Sequence, residues 1–228
     1  MWLAFSGEKV HSDPMNAELI SLFSASFVTF FVLIDALGVA PVFAGMTAPG
    51  GPDYARRMAI KSVFVATLIV FAFAFGGTWL LEKMHISLDA FRAAGGALLF
   101  LIAIDMVFEK RTERREQRAE EYMDEHEDLD DISVFPLGIP MLAGPGTIAT
   151  AMLYMGNAEG NWMEQGAVLA ALGLNMLLTL IIFLIAGPLI RLMGDSVAGA
   201  LTRILGVILA ALSIQLLIDG IKGAFNLG

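Results

Sequence analysis

Two short stretches of this chain carry polar or helix-breaking residues inside long apolar runs. The first reads Ile34-Asp-Ala-Leu-Gly-Val-Ala-Pro-Val-Phe43. The second reads Phe135-Pro-Leu-Gly-Ile-Pro-Met-Leu-Ala-Gly-Pro-Gly-Thr-Ile148. A charged carboxylate is costly in hydrocarbon, so Asp35 must face protein or accept a proton. Three roles are open to it: binding a substrate ammonium, carrying a coupled proton, or capping amides freed around Gly38. In the second stretch, Gly144, Pro145 and Gly146 interrupt a helix. Thr147 has the character of an N-cap opening a half-helix over 148–156. The free amides at 147–149 would then point into the break, where partial positive charge receives a carboxylate. A zwitterion needs both kinds of group. The amides would supply one, and Asp35 or unwound carbonyls near Gly38 and Pro41 the other. Glycine-rich walls (Gly38, Gly138, Gly144, Gly146) favour a small side chain. The plain alternative is a kink kept for packing.

Four further polar residues lie in or beside apolar runs. Asp105 closes the third run and is a second candidate for proton coupling, or a surface partner of Lys110 and Arg111. Asn175 and Gln215 sit deep in the fifth and sixth runs, as substrate contacts or as interhelical glue. His126 stands in an acidic tract, where a lone histidine is rarely a metal ligand. With no cysteine and no catalytic cluster, neither a metal, a cofactor nor an enzymatic reaction is expected. No GxxxxGK[ST] pattern is present to bind ATP.

The elements that position these residues follow from composition. Of 228 residues, 57% are hydrophobic and only 16% charged, and mean hydropathy is +0.73. A water-soluble globule of this size cannot hide so much apolar surface. The net charge of −9 offers no basic footprint for nucleic acid. Six apolar runs are long enough to cross a bilayer: 17–47, 60–81, 91–108, 132–156, 166–190 and 200–221. The first and fourth hold the breaks, and lipid cannot satisfy the backbone groups they free. The expected fold is an all-α membrane protein of six transmembrane helices. Two inverted three-helix repeats, 1–108 and 132–228, would be joined by a charged loop, 109–131. Arg92-x-x-Gly95, opening the third run, recurs as Arg203-x-x-Gly206 at the sixth. The loop is expected to be largely solvated, its basic half free to extend the third helix. Ten of the fourteen Lys and Arg fall on the loop's side, which predicts a cytoplasmic loop and both termini periplasmic. The first fourteen residues lack the pattern of a signal peptide.

These stretches resemble a known family. LFSASFVTFFVLIDALGVAPVFAGMT is similar to the first-span signature of the MarC family, also described as small neutral amino acid transporters. FPLGIPMLAGPGTIAT matches its second signature, RAAGGALLFLIAIDM its third-span pattern, and IQLLIDGI the end of its sixth span. Ala36 stands where the family commonly has proline, which leaves the first break less rigid. The resemblance implies six spans in inverted repeats in a bacterial inner membrane and, for some members, transport of glycine- and alanine-like amino acids. The expected activity is secondary transport of a small neutral amino acid, held between the breaks of helices 1 and 4. The alternative is a passive channel or an exporter of other small metabolites. The expected partners are that amino acid and membrane lipid, with homo-oligomerisation left open.

Overall fold

The computed structural model describes residues 14–125 and 131–225, and all regular structure among them is helical. α1 (Pro14–Ile34) and α2 (Ala36–Thr47) form one apolar rod interrupted at Asp35. A short turn, Ala48–Gly50, leads into α3 (Gly51–Lys83). Gly51 adopts φ 71° there, a region open to glycine. α4 (Leu88–Val107) begins where the Ser87 hydroxyl accepts the Ala90 amide at 3.2 Å. α5 (Lys110–Glu125) follows at once. The segment Ser133–Leu142 winds in wide turns, with extended backbone at Phe135 and Ile139. α6 (Pro145–Asn157), α7 (Trp162–Leu184) and α8 (Ala186–Phe225) complete the chain.

Each of the six apolar runs is helical, but the separate stretches among the described residues that are long and apolar enough to cross a membrane number fewer than six. Four stretches are long and apolar enough, and a fifth exists if the bent pair Ser133–Leu142 and Pro145–Asn157 counts as one. The discrepancy has a physical source. α1, α2 and α3 join almost without a gap into one stretch of 69 residues. At about 1.5 Å per residue it would reach roughly 100 Å, far beyond the ~30 Å of hydrocarbon, so it holds more than one crossing. The fourth run is bent by 59° at its break. Large apolar side chains such as Phe64, Leu68, Phe75 and Trp79 point outward from α3, as lipid-facing residues do.

The packing is pairwise. α1 lies on α7, α2 packs on α8 and α7, the segment 133–142 and α6 lie on α3, and α4 lies on α8. Phe43 of α2 stacks on Phe183 of α7 with centroids 4.3 Å apart. The last pair is held by close backbone approach. A Cβ on Gly96 would sit 2.6 Å from the Leu217 amide nitrogen, and one on Gly220 2.5 Å from that of Ala93. Gly206 meets Met106 and Val107 in the same way. Because 93, 96 and 106 face 220, 217 and 206 in falling order, the two helices run antiparallel. Small residues at such a seam let helices gain van der Waals contact where lipid gives no hydrophobic drive. Gly96→Leu and Gly220→Val are therefore expected to lower stability by about 1–3 kcal/mol each, through overpacking against backbone. Thermal unfolding in detergent measures this, and wild-type melting of both variants would contradict the seam.

The stretch 109–131 departs from expectation. Residues 110–125 form a helix rather than a loop; most of its side chains are exposed, as expected, but one face packs against α2, α4 and the segment 133–142. Arginines at i and i+4 (111 and 115, 114 and 118) place guanidiniums along one side of α5. Ala119 on the same helix is buried. His126 lies outside the described residues.

Candidate functional site

Asp35 ends α1 in the left-handed conformation (φ 50°, ψ 51°). Asp tolerates that region better than most residues because its short side chain bonds locally. Its Oδ1 accepts the Gly38 amide at 3.3 Å, capping α2, and the Thr202 hydroxyl of α8 at 3.4 Å. A Cβ at Gly38 would come within 2.5 Å of Oδ2, so only glycine fits under this cap. Oδ2 accepts from an Arg115 guanidinium nitrogen at 2.8 Å. The two side chains are 0% and 5% exposed, making a buried ion pair between the first break and α5.

Above the pair lies a cavity of about 290 Å³. One wall is the second break: Pro140, Met141, Gly144, Pro145, Gly146 and Thr147. The other is α5, which contributes Arg111, Arg114, Arg115 and Arg118, with Asp105, Leu33 and Ile102 between. Arg111 donates to the Leu33 carbonyl at 2.7 Å, near the end of α1. Burial and the neighbouring Arg115 pull its pKa down to about 9. Asp105 pairs with Arg114, not with Lys110 or Arg111. The second nitrogen of Arg115 is buried with no hydrogen-bond partner.

The start of α6 is one turn earlier than expected. Gly144, not Thr147, is the N-cap residue, with no side-chain capping bond, and Pro145 takes the first helical position. Proline's fixed φ suits that position, where its missing N–H costs nothing. The Ile148 amide bonds the Gly144 carbonyl at 3.1 Å. The helix-start amides that precede this first bond are those of Gly146 and Thr147, rather than 147–149.

The structure thus brings Gly144, Pro145, Gly146, Thr147 and Asp105 to one cavity. Gly38 and Pro41 line a different one, of about 250 Å³, with Glu109, Thr112, Glu113, Glu116, Gly199 and Thr202. Asp35 lines neither, yet it bonds a wall residue of each, Arg115 and Thr202. Asn175 lies elsewhere: its amide donates to the Phe27 carbonyl at 3.1 Å and that of Ala171 at 2.9 Å, tying α7 to α1. Gln215 is exposed on α8 and donates to Asp219 at 2.9 Å. Sequence reasoning missed the four arginines and Thr202. The i, i+4 arginine spacing was the available signal.

Below the cavity, α6 carries Thr147, Thr150 and Tyr154 on one face. The Tyr154 and Thr29 hydroxyls lie 3.1 Å apart, and the Thr150 hydroxyl is buried without a partner. Phe30 packs its ring on Tyr154 at 5.9 Å. This polar seam continues from the cavity into the buried interior.

A family model of "MarC family integral membrane protein" matches residues 20–225. The chain belongs to the MarC family. It is similar to a UPF0056 membrane protein of Methanocaldococcus jannaschii, 32% identical over 225 residues, covering 98% of this chain and 97% of that one. A second protein of that organism, with the same UPF0056 description, is 35% identical, covering 90% and 98%. The UPF0056 membrane protein YhcE of Escherichia coli is 30% identical, covering 87% and 91%. No solved structure matches. This MarC chain is therefore an integral membrane protein, and the two stretches that carry the resemblance lie at the cavity's second-break wall and at the Asp35 pair.

Proposed function

We propose that this MarC protein is a secondary transporter of small neutral amino acids, with the substrate taken up between the two breaks. The observation that carries this reading is the buried Arg115–Asp35 pair beside the free amides of Gly146 and Thr147. A zwitterion exchanges with such a pair. Its carboxylate takes Arg115 and the α6 amides, and its ammonium takes the Asp35 carboxylate. One protein ion pair is replaced by two protein–substrate pairs, so no charge is left unmatched in the interior. The cavity lies between the second break and α5, while Phe30 and Tyr154 close the seam below it, which we read as one face of an alternating-access cycle.

The packing supports an inverted repeat. Exchanging the first three apolar runs for the last three converts the α1–α7 contact into the contact between α6 and α3. It also converts the antiparallel α4–α8 pair into itself. Repeat units 1–108 and 132–228 would then be linked by α5 as an added element. With the basic residues gathered on that side, α5 is cytoplasmic and both termini are periplasmic. A reporter fused at Gly228 that is active only in the cytoplasm would refute this orientation.

Counterflow in proteoliposomes tests the function. Labelled glycine or alanine should enter vesicles preloaded with the unlabelled amino acid and saturate with concentration. Non-saturable flux, indifferent to the preloaded solute, would instead favour a channel. Amidated analogues should compete poorly, because they lack the carboxylate that the α6 amides and Arg115 receive. An amide competing as well as its parent would remove the carboxylate site from the scheme.

A further inference from the structure

The cavity holds more positive charge than a zwitterion needs. Four guanidiniums face one lining carboxylate, Asp105, while Asp35 sits directly behind Arg115. Two positive charges, those of Arg111 and Arg118, are left without a carboxylate among the described residues. Arg118 has no ion pair or hydrogen bond among the described residues. Arg115, paired with Asp35 through one nitrogen, lines the cavity and keeps its second nitrogen buried with no partner. The opposite wall is a helix start with no side-chain cap, presenting the Gly146 and Thr147 amides. Guanidiniums on one side and helix-start amides on the other are the two devices proteins use for phosphate oxygens. Burial first, and the neighbouring Arg115 second, lower the pKa of Arg111 in this wall.

We propose that this cavity is a binding site for a phosphate dianion, as inorganic phosphate or as the terminal group of a phosphate monoester, entering from the α5 side. The dianion matches the two unpaired charges, whereas a single carboxylate matches one. Arg115 donates its free nitrogen without leaving Asp35, Arg118 supplies a second guanidinium, and the α6 amides receive the remaining oxygens. Because those amides also serve the proposed amino acid carboxylate, the two ligands exclude one another. The phosphate site itself stands on the arginines and the helix start, independently of what the protein carries.

The test is direct binding to the full chain in detergent, by titration calorimetry with inorganic phosphate. Saturable binding at least about tenfold tighter than for acetate is expected, given the strength of charge-assisted pairs. Arg118→Gln, exposed and outside the buried pair, should weaken phosphate at least about tenfold with unchanged thermal unfolding. Arg203→Gln should leave affinity unchanged, because Arg203 pairs with Glu109 outside this cavity. Repeating the titration in nanodiscs with and without phosphatidic acid identifies the source. Loss of phosphate binding in phosphatidic acid assigns the site to a lipid headgroup, and retention assigns it to a soluble phosphate. Absence of saturable binding, or binding indifferent to Arg118→Gln, overturns the proposal. Glycine counterflow on the same preparation separates the two ideas: flux without phosphate binding removes only this site, and phosphate binding without flux removes only the amino acid function.

Discussion

Replacing Arg115 by methionine is expected to destabilise the protein by about 3–5 kcal/mol, because it strands a fully buried carboxylate. Asp35 would keep the Gly38 amide and the Thr202 hydroxyl, two neutral donors at 3.3 and 3.4 Å. Neither replaces a guanidinium at 2.8 Å. Asp35→Asn alone strands the opposite charge and is expected to cost a similar amount. Combining Asp35→Asn with Arg115→Met removes both charges, so the double variant should melt well above the sum of the single losses. Unfolding in detergent, followed by tryptophan fluorescence, reads all three. Additive losses would show that the pair is not coupled. Transport separates the remaining roles of Asp35. If it carries a proton, Asp35→Asn still exchanges substrate but cannot concentrate it. If it holds the ammonium, exchange falls as well. Wild-type accumulation in this variant would rule out both.

The second large effect is expected at Gly146. A Cβ there would lie 2.8 Å from Ile102 Cδ1, with Leu99 and Leu33 close behind. A valine pushes into that wall and shields the two free amides at the start of α6. Losing such a charge-assisted contact corresponds to at least about a tenfold fall in glycine counterflow. The neighbouring side-chain ends can yield, so Gly146→Val should remain in the membrane and fold. Gly76→Ala on α3, where an added Cβ meets nothing within 4 Å, should leave flux unchanged and melting no lower. Equal flux in the Gly146 variant and the control would place the carboxylate elsewhere.

Much of this could be read in the residues themselves, for physical reasons that differ from site to site. Hydropathy marks where helices must be, and every apolar run is helical, though the first and fourth are each divided in two. The breaks were legible because Asp35, Pro145 and the paired glycines are residues a spanning helix avoids. The exact start of α6 was not. Thr147 is the better capping side chain, but Pro145 is the better first helical residue, and proline prevailed. Asn175 and Gln215 were legible as polar residues in need of partners, yet sequence cannot say which face of a helix they occupy. The largest miss was α5. Read by composition, Lys110–Glu125 is a charged surface stretch. Only tertiary structure shows two of its arginines turned inward, one on a carboxylate eighty residues earlier in the chain. Long-range ion pairs leave no mark on local periodicity.

α5 lies outside the two proposed three-helix repeats, and the proposed path is closed by different materials at its two ends. On one side stand guanidiniums and carboxylates, and the exposed attraction among them, between Arg114 and Asp105, weakens as ionic strength rises. On the other stand Phe30, Tyr154 and Thr29, which carry no charge and are indifferent to salt. Flux measured from each face of oriented vesicles should therefore respond unequally to salt, and equal responses would exclude this account. A passage whose two doors obey different solution variables is a rectifier: the composition of one compartment sets how freely solute leaves it, while the other compartment has no such control.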